Sequence, residues 1–96
     1  MKQQPIRSSS DELNISEVRV LRFFMEHPTE WIVRRIVMES LNMARSTVHE
    51  NVNKLLGRDM LNVMNLEENR RGRPYLLYSI NMDKIEEIKE VLDKYD

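Results

Sequence analysis

Residues 34–57 read RRIVMESLNMARSTVHENVNKLLG. Val33, Ile36, Val37, Met38 and Leu41 recur at helical spacing up to Asn42, a residue that tolerates the left-handed conformation that stops a helix. A few residues later the pattern restarts. Val48, Val52, Leu55 and Leu56 fall at i, i+4, i+7 and i+8, a single apolar face, with Gly57 placed to end the second helix. Two helices joined by a three- to four-residue turn are therefore expected here.

Upstream, LNISEVRVLRFFMEHP (residues 13–28) predicts a helix. Asn14 or Ser16 suits its cap, Glu17 favours its first turn and Pro28 stops it. Ile15, Val18, Leu21, Phe24 and Met25 form one stripe, while Val20 and Phe23 lie off it and call for a second cover. Thr29–Val33 is aromatic and β-branched, which predicts a brief extended segment with Trp31 in the core. Residues 1–12, MKQQPIRSSSDE, read as a polar, disordered arm.

Downstream the period changes. MLNVMNL (60–66) and PYLLYSI (74–80) predict two strands, with Leu76, Tyr78 and Ile80 on one side and Tyr75 also in sheet packing. Between them lies EENRRGR, so a β-hairpin carries Arg70, Arg71, Gly72 and Arg73 at its tip. KIEEIKEVLDKY (84–95) predicts a last helix with Ile85, Ile88, Leu92 and Tyr95 on one seam.

Bulk composition narrows the functions. The chain has 96 residues, 15 Lys+Arg against 16 Asp+Glu, and a formal charge of −1. One small domain is implied. The absence of cysteine excludes disulfides and thiolate metal sites. His27 and His49 have no partners at metal-ligand spacing, and no nucleophile-plus-base pair or phosphate loop is visible, so neither enzyme nor metal protein is expected, and no cofactor. No apolar run spans a membrane and no secretion signal opens the chain; the expectation is cytoplasmic. Residues 82–96 sum to −3, which leaves +2 for residues 1–81 and a basic face there.

Taken together, Trp31–Ile36, Leu41–His49, Leu55-Leu56 and the hairpin Glu67–Tyr78 resemble a winged helix-turn-helix domain. The pattern is similar to the multiple-antibiotic-resistance-type and arsenic-repressor-type regulators of bacteria and archaea, and singles out no subfamily. The resemblance covers about two-thirds of the chain. It implies an α+β, mostly helical fold: a three-helix core with a hairpin wing over residues 13–81, then an additional C-terminal helix over 82–96. Two departures stand out. Asn42 sits where the family turn has Gly, and Ala44 sits where a Ser or Thr usually caps the recognition helix. Either Ser46 caps a later start or the helix begins less firmly.

The resemblance implies a regulator of transcription, a repressor, bound to double-stranded DNA. Its recognition helix would offer Arg45, Ser46, Thr47, His49, Glu50, Asn53 and Lys54 to the major groove. Arg45 suits guanine, Asn53 adenine, and Glu50 a cytosine amino group. The wing would send Arg71 and Arg73 into the minor groove and Arg70 to phosphate. Arg-Gly-Arg-Pro is also the core of the minor-groove AT-hook motif. Arg34 or Arg35 would touch phosphate. A plainer reading has the wing arginines pairing with Glu67 and Glu68. Val20, Phe23, Ile85, Ile88, Leu92 and Tyr95 would form a homodimer interface; the alternative is that the last helix folds back and covers Val20 and Phe23 within one chain. A second functional class, a winged-helix protein-interaction module in a replication, segregation or transcription-initiation complex, is favoured by the near-neutral charge.

Overall fold

The computed structural model describes residues 12–66 and 75–95. The elements are α1 (Ile15–Met25), α2 (Arg34–Leu41), α3 (Arg45–Gly57), β1 (Leu61–Leu66) and β2 (Tyr75–Ile80), then a 3-10 turn (Met82–Lys84) and α4 (Ile85–Asp93). The fold is α+β. The arginines of the hairpin tip and residues 1–11 of the N-terminal arm lie outside the described residues.

α1 is the hub. Its start is fixed by a capping box: the Glu17 amide donates to Asn14 Oδ1 at 2.7 Å, and the Asn14 amide donates to Glu17 Oε1 at 3.0 Å. Leu13 and Val18 occupy the positions that flank such a box with an apolar staple, and both are buried. The stripe expected from Ile15 is thereby corrected. Ile15 is 80% exposed, and Leu13 enters the core just ahead of the helix instead. Val18, Val20, Leu21, Phe23 and Phe24 are all buried, so α1 is covered on more than one side.

Part of that cover is the chain's own last helix. Ile88 and Leu92 of α4 are buried in the same core as Val20 and Phe23. Arg22 Nη2 donates to the Leu92 carbonyl at 3.1 Å, and the Leu13 amide donates to Tyr95 Oη at 2.9 Å. The fold-back arrangement, one of the two alternatives in the sequence, is thus present. Val20, Phe23, Ile88 and Leu92 need no second copy to leave water; Ile85 is half-buried and Tyr95 exposed.

α2 and α3 stand where residues 34–57 predict. Asn42 closes α2 at φ 54° and ψ 50°, with the Met43 amide donating to the Met38 carbonyl at 3.0 Å. The end of α3 falls at Gly57, as expected, and its closure is completed two residues on, where Asp59 takes the left-handed conformation at φ 66°. The Asp59 amide donates to the Leu56 carbonyl and the Met60 amide to the Leu55 carbonyl, both at 3.0 Å, a Schellman closure.

β1 and β2 pair antiparallel, from Leu61 opposite Ile80 to Leu66 opposite Tyr75. Leu76, Tyr78 and Ile80 share one face, as the alternation requires. The extended segment before α2 adds a single bridge: Ile32 and Tyr78 exchange backbone bonds of 2.8 and 2.9 Å. Ile32 is buried there, so its neighbour Trp31 points the other way and is 43% exposed, not in the core. Tyr75 is likewise exposed.

Candidate nucleic-acid interface

The outer side of α3 is built by subtraction. Val48, Val52 and Leu55 are fully buried, which turns Arg45, Ser46, His49, Glu50, Asn53 and Lys54 to solvent and leaves Thr47 at the margin. Of the polar residues on this helix, Asn51 goes inward; it is buried at 3%, and the sequence reading passed over it. No buried side-chain nitrogen or oxygen among the described residues lacks a hydrogen-bond partner.

The outward residues fall into two rows. Arg45, His49 and Asn53 follow one another at i, i+4 and i+8. Beside them, Lys54 Nζ lies 3.7 Å from Glu50 Oε2. That pairing gives Glu50, the one acid among these outward residues, a partner on its own helix. Its charge is offset by a lysine one turn on, although such an exposed pair adds only about 0.5 kcal/mol of stability.

His49 links the two helices. The guanidinium of Arg34, first residue of α2, donates to His49 Nδ1, and the Asn53 amide lies 3.2 Å from His49 Nε2. A guanidinium can only donate, so Nδ1 is the unprotonated nitrogen and Nε2 carries the hydrogen. The atom placed at Nε2 is the Asn53 amide nitrogen, and this tautomer assigns the oxygen there instead, by a half-turn about the terminal bond. Three side chains from two helices are held in one chain of contacts.

Next to this row is a concavity of about 390 Å³ lined by Val33, Arg34, Arg35, Met38, Arg45, Tyr75 and Leu76. Three elements meet in it: the first turn of α2, the first turn of α3 and the start of β2. Neither helix has a side-chain cap. Val33 and Ala44 occupy the N-cap positions, and neither offers an acceptor. So α3 does begin at Arg45 behind an uncapped Ala44, rather than later behind Ser46. Free backbone N–H groups and the positive ends of two helix dipoles therefore open beside three guanidinium groups. Arg35 is tethered only loosely, 4.0 Å from Glu39. The concavity suits anionic oxygens.

The wing residues Arg70, Arg71, Gly72 and Arg73 lie outside the described residues, but the strands that carry them do not. β2 starts at Tyr75, on the rim of the arginine concavity. The hairpin thus rises from beside the first turn of α3. Among the described residues no cluster of histidine and carboxylate could hold a metal ion, and no helix is long and apolar enough to cross a membrane.

Known proteins of the same shape agree with this layout. A possible transcriptional regulator from Methanosarcina mazei Go1 superposes with a TM-score of 0.73 at 22% identity, covering 99% of this chain and 80% of its own. A protein from the thermoacidophilic archaeon Sulfolobus tokodaii superposes with a TM-score of 0.68 at 19% identity, covering 97% and 85%. The fold is of the winged-helix type. No family model matches the sequence, and no curated protein does. At such identities the likeness extends to fold alone.

Proposed function

We propose that the protein is a transcriptional regulator that binds double-stranded DNA, acting as a repressor. The outer row of α3 enters the major groove, with Arg45 on guanine and Asn53 on adenine. Ser46, Thr47, His49, Glu50 and Lys54 complete the contact face. Arg35 lies toward the backbone as the duplex crosses α2, while Arg34 beside it turns to His49. Arg71 and Arg73 reach the minor groove and Arg70 a phosphate. The observation that carries the reading is the arginine concavity: Arg34, Arg35 and Arg45 converge where two uncapped helix N-termini open, next to the one solvent face of α3. The name borne by the Methanosarcina mazei protein supports the regulatory part of the reading.

The test is fluorescence anisotropy with a mixed-sequence duplex at several salt concentrations. Wild type should bind with log K falling steeply against log salt, since each neutralised phosphate adds about 0.9 to the slope. Arg45→Ala should weaken binding, and the double variant Arg71→Ala/Arg73→Ala should lower the slope by up to about two. A wild type that does not bind at low salt overturns the reading. That result would favour the protein-interaction module, to which the formal charge of −1 and the exposed Trp31 and Met82 point.

A further inference from the structure

Arg34 and Asn53 are nineteen positions apart, on different helices, yet both touch one imidazole. This inference rests on the proposed function and deepens it. Asn53 is an exposed side chain near the middle of α3, and an exposed amide turns freely unless something holds it. A bidentate contact to adenine needs the amide oxygen and nitrogen in one orientation, toward N6 and N7. His49 supplies that orientation on one side: its Nε2 hydrogen selects the amide oxygen of Asn53. Arg34 in turn selects the tautomer of His49, because only an unprotonated Nδ1 can accept from a guanidinium. The relay runs from α2 to α3, so it also fixes the angle of the reading face against the helix that precedes it. Arg45, one turn before His49 in the same row, makes no such bond to α2 among the described residues and reads independently.

We infer that Arg34 and His49 are positioning residues that set Asn53 for one base pair, so that these three side chains specify a single position as a unit. Arg34 therefore acts on sequence choice more than on backbone grip.

The experiment begins with the full chain selecting its preferred duplex from a random pool. Wild type, Asn53→Ala, His49→Ala, Arg34→Ala and Arg34→Lys are then measured on that duplex and on every single-base-pair variant of it, at two salt concentrations. Asn53→Ala should lose about 5- to 100-fold of discrimination at one base pair. His49→Ala and Arg34→Ala should lose discrimination at that same base pair, and each should add little when combined with Asn53→Ala. Arg34→Lys, which still donates to Nδ1, should recover part of the loss. Because all three side chains are on the surface, melting curves should move little, and changed discrimination at unchanged melting separates positioning from damage to the fold. Two results overturn the inference while leaving DNA reading intact. The first is that Arg34→Ala weakens every duplex equally and lowers the salt slope by about one, which marks a plain phosphate contact. The second is that His49→Ala and Asn53→Ala disturb different base pairs. If wild type selects no sequence at all, the proposed function falls and the relay with it.

Discussion

Glu17 shows how much one residue can carry. Its carboxylate is 2% exposed, closes the capping box of α1 through Oε1, and takes Arg58 Nε at 3.1 Å through Oε2. Arg58 also donates to the Glu12 carbonyl at 3.0 Å. The start of α1 and the end of α3 are thus fastened by one side chain. Breaking a buried pair from one side costs about 3–5 kcal/mol, and losing a cap about 1 kcal/mol. Arg58 keeps some contact with water, which brings the expectation for Glu17→Ala to the lower end, about 3 kcal/mol. Glu17→Gln keeps an acceptor for the Asn14 amide and should lose less. Urea denaturation of both variants checks the order; equal losses would mean that the charge on Glu17 contributes nothing. The sequence disclosed Glu17 only as a first-turn acid, because its partner is 41 residues away and nothing local announces Arg58. Asn81 is hidden in the same way, since its partner is also distant in sequence. Asn81 Nδ2 donates to the Asp59 carbonyl at 2.8 Å, and its Oδ1 accepts from the Asp83 amide at 3.1 Å, joining two turns far apart in the chain.

At the scale of elements, local rules were read well where they depend on near neighbours. Asn42 in the left-handed region, Ala44 without a cap, and the alternation of Leu76, Tyr78 and Ile80 are all decided within a turn or a strand pair. Gly57 is the last residue of α3, as its sequence suggests, while the left-handed position of the Schellman closure lies at Asp59. The local pattern misleads at the start of α1. Ile15 and Leu13 both suit the first apolar contact of α1, and the capping box brought Leu13 inward. These outcomes leave α3 with two correctable ends. A serine at position 44 would give the orphan amides an acceptor, so Ala44→Ser should add about 1 kcal/mol. A Cβ at Gly57 would meet nothing within 4 Å, so Gly57→Ala should add about 0.5–1 kcal/mol by restricting the unfolded chain. The sites are a whole helix apart, so the gains should sum in the double variant. Thermal and urea midpoints are the check. A loss at Ala44→Ser would show that the first turn of α3 depends on something other than its missing cap.

At the scale of the whole molecule, the sequence posed a choice that periodicity cannot make. An apolar seam on the last helix and a surplus face on α1 fit a second copy as well as they fit each other, because a pattern of side chains names no partner. The three-dimensional path of the chain decides it for four of the six residues. After β2, the turn built on Asn81 directs α4 back along α1, where Arg22 and the Tyr95 hydroxyl bind it from opposite sides of the sequence. The arginine also sits at the negative end of the α4 dipole, on the Leu92 carbonyl. Ile88, fully buried against this core, then belongs to the stability of a single chain. Removing it to Ala should cost about 2–5 kcal/mol through lost burial and the cavity left behind. The informative part is concentration. Loss of a residue buried within one chain costs the same stability at every protein concentration, whereas loss of one buried between copies costs more as concentration rises and association begins to stabilise the wild type. Wild type and Ile88→Ala should therefore keep a constant gap in melting temperature across a hundredfold range of concentration. A gap that widens as concentration increases, because the wild type then gains more from association than the variant, would place Ile88 between two copies and return the seam to the dimer.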